Sequence, residues 1–346
     1  MHTNDDAIRR IAPRYGVESE LHRIWVELLG HDSFGVLDNF FDVGGTSFTL
    51  IKLLHCVEEL SGYSVSIVSF VRAPTIAGLA LLLRGAATDN GQTVVPIKPS
   101  GSRPPLFCIH PIGGSVIRYF PLARALEKEQ PVYGLQALGL TGEKPPQRWI
   151  HEIASSCFSE IMRICPDGPV QILGFSFGGI VAYEIAQLAL KQQGKHPLVA
   201  LIDTPAVASD AHDDKDTLPT AAYVAMNALV AEIEPDMFRG LGQTEALTLL
   251  HSIGVREGIF DGTFSVSWLR RIIDTIDGNI HAMKHYTLQG YPGHVITFGC
   301  GSTAVVGWEQ YVDQLTTYEL DVEHFWALDE PCASVIASLL TRHLLK

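Results

Sequence analysis

The sequence predicts two folds in series: a small all-α bundle, then an α/β domain with a mostly parallel sheet and helices on both faces. Three observations carry this. Up to about residue 85 the apolar residues recur only at helical spacing. Residues 85–105 are rich in Gly, Pro, Ser, Thr and Asn and read as a linker. From residue 106 onward, short β-branched runs alternate with helical stretches. The domains are therefore expected at 1–85 and 106–346, with 86–105 holding the linker and a first strand near 93–98.

The first helix is expected over 18–30, where Leu21, Ile24, Trp25, Leu28 and Leu29 form one stripe that stops at Gly30. A loop through Asn39-Phe40-Phe41-Asp42-Val43-Gly44-Gly45 follows. A second helix runs over 47–60 with Leu50, Ile51, Leu54 and Val57 on one face, and Pro74-Thr75 opens a last short helix over 76–83. Beyond the linker, strands are expected at 106–110, 132–135, 170–174, 198–203, 295–299 and 317–322. The helices between and after them fall at 119–127, 152–165, 177–191 and 335–345. The mostly helical stretch at about 206–288 reads as an insertion over the sheet, where a lid would sit.

Composition removes several classes of function. Hydrophobic residues make up 47% and charged residues 18%, so both domains can bury cores. With 25 Lys+Arg against 38 Asp+Glu and no basic block, nucleic acid is not an expected partner. No apolar run reaches the roughly 18 residues of a membrane span, and residues 1–14 lack the apolar core of a signal peptide. The six cysteines form neither a C-x-x-C pair nor a zinc spacing, so no metal site is expected. Free thiols point to a reducing, cytoplasmic setting.

Two serines carry the chemistry. Ser47 stands at the mouth of the second helix, where a serine also serves as an N-cap. Its surroundings, Phe40-Phe41-Asp42-Val43-Gly44-Gly45-Thr46-Ser47 together with Arg72-Ala73-Pro74-Thr75-Ile76, resemble the attachment motif of peptidyl carrier domains from nonribosomal peptide synthetases. The resemblance covers roughly residues 15–84. It implies a four-helix carrier with 4'-phosphopantetheine esterified to Ser47, installed by a phosphopantetheinyl transferase. A helix N-terminus suits that phosphate.

Ser176 lies in Gly174-Phe175-Ser176-Phe177-Gly178-Gly179, a G-x-S-x-G between an expected strand and helix. That context lifts a serine hydroxyl to the end of the sheet in α/β hydrolases. A serine needs a base and an orienting acid, which follow it in this order of chain: nucleophile, acid, histidine. His324 sits in the loop after the last strand and is the expected base. Asp203 ends the strand after the nucleophile helix and is the expected acid, since the loop from Cys300 to Trp308 holds no carboxylate; Glu323 and Asp329 compete for the role. The oxyanion needs two backbone amides. These are expected from Phe177 and from Ile112, with Gly113 as the alternative. His110, beside that loop, reads as a residue that shapes the turn.

Residues 94–345 resemble the terminal thioesterases of nonribosomal peptide and polyketide synthetases. The matching stretches are 101–111, the G-x-S-x-G and Leu201-Ile202-Asp203. The resemblance implies an α/β-hydrolase fold with a helical lid and a Ser176–Asp203–His324 triad. It further implies release of an acyl or peptidyl chain by hydrolysis or macrocyclisation. Upstream adenylation and condensation or ketosynthase domains would supply that chain. Two other readings remain at this point: a general esterase with an unrelated helical appendage, and a carrier-docking module without activity.

Overall fold

The computed structural model describes residues 12–13, 16–61, 65, 67–85, 93–141, 144–206, 235–238, 240–256, 266–301 and 307–345. The chain divides into two units, one formed chiefly by residues 1–92 and the other by residues 93–261 and 266–346.

Among the described residues the first unit has four helices: α1 (Val17–Leu29), α2 (Ser47–Ser61), α3 (Ile67–Arg72) and α4 (Ile76–Gly85). Helix α3 carries no separate signal in the sequence, because six residues are too few to establish a helical period. The long loop before α2 is held by its aromatics. Phe40 is fully buried and meets Trp25 edge-on at 4.8 Å and Phe70 at 5.7 Å between ring centroids. Its amide donates to Pro74 O at 2.8 Å, which ties the loop to the turn between α3 and α4. Gly45 lies so close to Phe40 that a side chain there would meet the ring and, at 2.5 Å, its carbonyl oxygen. The motif around Ser47 is thus also the packing that fixes the start of α2.

The second unit is a seven-stranded sheet in the order β1-β3-β2-β4-β5-β6-β7. Its strands are β1 (Val94–Lys98), β2 (Leu106–Ile109), β3 (Val132–Leu135), β4 (Gln171–Phe175), β5 (Leu198–Ile202), β6 (Tyr291–Cys300) and β7 (Val312–Leu320). All neighbours are parallel except β1 with β3. The helices are α5 (Phe120–Ala125), α6 (Ile150–Ile164), α7 (Phe177–Gln193), α8 (Gln243–Arg256), α9 (Val266–Lys284) and α10 (Cys332–Thr341).

The central strands are buried on both faces, as parallel strands covered by helices must be. Helix α6 buries Ile150, Ile153, Ala154, Cys157, Phe158 and Ile161, the stripe of a helix with one solvent face. Helix α7, between α6 and the sheet, buries residues all round.

Two strand boundaries differ from expectation. Strand β6 begins at Tyr291 and β7 at Val312, so His294 is inside β6 rather than at its start. The β6 extension is broken by Pro292 and Gly293 and the β7 extension by exposed Asp313 and Gln314, so neither carries an unbroken apolar signal. Within the expected lid, α8 and α9 are described; residues 207–234 and 257–265 lie outside the described residues. Helix α9 is not a loose cover. Leu269, Ile273, Ile276 and Ile280 are buried along one face.

Candidate active site

Sheet register brings the site together. Phe175 at the end of β4 pairs with Ile202 at the end of β5, and Ile202 pairs with Phe298 of β6. The next residues, Ser176 and Asp203, therefore leave adjacent parallel strands side by side. Each turns sharply: Ser176 has φ 55° and Asp203 φ 44°. Ser176 N donates to Ile202 O at 2.8 Å, closing the turn onto β5. Thr204 Oγ1 donates to Ser176 O at 3.0 Å and to Ile202 O at 3.1 Å. The turn also requires its flanking glycines. A side chain on Gly174 would run into the backbone of Gly178, and one on Gly178 would lie 2.5 Å from Ile109 O.

Asp203 is buried, and each carboxylate oxygen has a role. Oδ1 accepts Cys300 N–H at 2.9 Å from the end of β6. Oδ2 accepts His324 Nδ1–H in a short hydrogen bond that is also an ion pair when the ring is protonated. With Nδ1 so engaged, the proton-accepting position of neutral His324 is Nε2. Its ring stacks on Phe175, the residue before Ser176, at 4.7 Å between centroids. Ser176 Oγ makes no hydrogen bond among the described residues. Neither competing carboxylate pairs with His324: Asp329 bonds Arg118 instead, and Glu323 contributes its backbone to the turn that holds the ring.

The loop after β2 lies opposite. His110 is buried, bonds Pro111 O through Nδ1 at 3.0 Å and stacks on Phe177 at 5.8 Å. Burial holds its pKa down to about 4, so it is neutral and shapes the turn rather than acting as a second base. Phe177 is the first residue of α7, and its amide has no partner within the helix. The amides of Ile112 and Gly113 likewise meet no acceptor among the described residues. Ile112 O accepts Asn279 Nδ2–H at 2.8 Å from α9, which fixes the loop in place.

Several supporting side chains carry no sequence signal, because each acts across a long separation in the chain. Tyr119 Oη accepts Phe175 N–H at 2.8 Å and donates to Ile109 O at 2.7 Å, locking β2 to the end of β4. Trp308 Nε1 donates to Thr204 O at 2.6 Å behind Asp203. Asn279 is the third.

In the helical unit, Ser47 is the first residue of α2; its side chain lies outside the described atoms. At its neighbour, Thr46 Oγ1 accepts Thr49 N–H at 3.1 Å, and Thr49 Oγ1 accepts Thr46 N–H at 2.7 Å, a reciprocal cap of the first turn. A serine at the head of a helix that is already capped, on a loop pinned by Phe40, fits a phosphodiester-linked arm.

Comparisons with known proteins match each unit to a family. Residues 19–83 match the phosphopantetheine attachment site family and residues 104–245 the thioesterase domain family. The chain is 42% identical over 208 residues to malpinin synthetase of Mortierella alpina, covering 59% of this chain and 3% of that protein. It is 28% identical over 335 residues to a dimodular nonribosomal peptide synthase of Bacillus subtilis (strain 168), covering 92% of this chain and 14% of that one. Among solved structures, a four-domain nonribosomal peptide synthetase, holo-AB3403, matches over 99% of this chain and 27% of its own at TM-score 0.69 and 24% identity. The Vlm2 thioesterase domain with a bound dodecadepsipeptide matches over 73% of this chain and 98% of its own, at TM-score 0.57 and 22% identity.

Proposed function

We propose that this chain, which joins a phosphopantetheine-attachment domain to a thioesterase domain of the α/β-hydrolase type, releases an acyl or peptidyl chain held as a thioester on the arm of Ser47. The observation that supports it most directly is the pair of buried Asp203 and half-exposed His324, whose ring stacks on Phe175, the last strand residue before Ser176.

When attached, 4'-phosphopantetheine supplies the thiol that carries the acyl chain. The rest of the chemistry belongs to side chains and amides of this protein. His324 Nε2 takes the Ser176 proton as the hydroxyl attacks the thioester carbonyl. Asp203, held by Cys300 N–H, keeps the ring in the required tautomer and stabilises the imidazolium. The amides of Phe177 and Ile112, with Gly113 beside it, receive the oxyanion. The carbon–sulfur bond breaks, the proton on His324 passes to the departing sulfur, and the acyl group stays on Ser176 as an ester. Water, or a nucleophile within the chain, then accepts the acyl group with His324 again as base. Hydrolysis gives an acid and internal attack gives a ring.

In this reading the substrate is built by upstream adenylation and condensation or ketosynthase domains. A phosphopantetheinyl transferase modifies Ser47. Ser176→Ala is expected to lower release by about 10⁴-fold or more, with acyl chain retained on the Ser47 arm in the intact-protein mass spectrum. Turnover persisting in that variant ends the assignment.

A further inference from the structure

The base stands on a short turn with few hydrogen-bonded ties, although Ala327 and Leu328 just after it are fully buried. The short turn His324–Trp326 buries none of its residues, and Phe325 and Trp326 are 43% and 58% exposed. Within residues 321–331 the backbone bonds are local. Among the described residues only two hydrogen-bonded ties join this stretch to a distant element. One is His324 to Asp203. The other is Arg118, from the segment after β2, more than 200 positions earlier in the chain.

Arg118 Nη2 donates to the carbonyl oxygen of Phe325, the residue next to His324, in a short bond, and to Asp329 Oδ2 at 3.2 Å. Its guanidinium carbon lies 5.6 Å from the centroid of the Phe175 ring, within the range of a cation–π contact. That ring is the one on which His324 stacks. One cation thus touches both the backbone beside the base and the aromatic platform beneath it. The adjoining Tyr119 holds the same strand end through Phe175 N–H.

Resting on the assignment of His324 as base, we infer that Arg118 is a positioning residue that sets the height and tilt of the His324 ring over Ser176, with Asp329 orienting the guanidinium. The physical requirement is geometric. The bond to Asp203 and the stack on Phe175 hold the half-exposed ring itself but not the backbone that carries it. A second anchor at the Phe325 carbonyl fixes the backbone from which the ring projects. A misplacement of about 1 Å is worth up to about a hundredfold in rate.

The test is a double-mutant cycle in the full phosphopantetheinylated chain, using a soluble acyl thioester and following Ser176 acylation. Arg118→Gln is expected to lower kcat by about ten- to a hundredfold with KM within about twofold. Arg118→Lys, which keeps a donor for the Phe325 carbonyl, should recover part of the loss. In a His324→Ala background the Arg118→Gln change should cost nothing further, because there is no ring left to place. If it lowers the rate by the same factor in both backgrounds, or raises KM alone, positioning is overturned. Should Arg118→Gln fail to fold, Asp329→Asn is read in the same cycle. His324→Ala retaining full activity would overturn the base assignment itself, a result separate from any outcome for Arg118.

Discussion

Ser176 and Asp203 are the non-glycine residues with left-handed φ among those described. Such conformations cost of order 1–3 kcal/mol each and persist where surrounding bonds over-determine them. Here the bonds are visible: Ser176 N to Ile202 O, Asp203 N to Phe298 O at 2.7 Å, and Thr204 across both. Strain sits at two of the three residues assigned to the triad. His110 shows the opposite use of a titratable side chain. It is buried and neutral, with a pKa of about 4 against 6.5 in a free chain. Between those values the unfolded state binds a proton that the native state refuses, so stability falls as pH drops from about 6.5 to about 4. The full effect is about 3 kcal/mol. Urea denaturation of His110→Gln across this range should show that part of the acid slope removed. An unchanged slope would assign the acid limb to other groups.

At the scale of elements, the informative helix is α9. It belongs to the stretch expected as a lid, yet its apolar face is buried and Asn279 reaches the Ile112 carbonyl. Thr275 of the same helix fills the space beside Gly114, so a side chain there would collide with it. The element that would shape the acyl pocket is thus bonded to the loop that would receive the oxyanion. Asn279→Ala leaves the half-buried Ile112 carbonyl without its partner, with a stability cost of about 1 kcal/mol. It should also lower kcat by roughly tenfold through a looser Ile112 amide, read by steady-state kinetics beside thermal melting. Loss of stability with kcat intact would limit Asn279 to a structural role. The central strands were legible because both faces are apolar. Strand β7 was half legible: Asp313 and Gln314 near its start are polar and exposed, and only pairing with β6 makes that end a strand.

At the scale of the molecule, the two units carry separate chemistry on one chain. A tether converts delivery of the thioester into an intramolecular step at an effective concentration of about millimolar for a short flexible linker. The fragment 93–346, which contains the whole sheet, is expected to turn over a soluble thioester at a kcat close to that of the full chain. It should act on a separately added loaded carrier only with concentration-dependent kinetics, whereas the intact chain releases its cargo at a rate independent of protein concentration. Single-turnover release at several dilutions checks this. Dilution slowing the intact chain would mean that cargo is exchanged between molecules.

Taken by itself, the sequence determined the order of the two folds, the helix start that presents Ser47, the strand–turn–helix around Ser176 and the places of Asp203 and His324. These depend on local period, on glycines at a sharp turn and on position after a strand, all of which are written within a few neighbouring residues. Tertiary structure alone decided that Asp203 rather than Glu323 or Asp329 bonds the imidazole, and that Arg118, Tyr119, Asn279 and Trp308 brace the site. A hydrogen bond across the sheet or between loops joins residues up to 211 positions apart, and no period or spacing in a single chain records which distant donor will meet which acceptor.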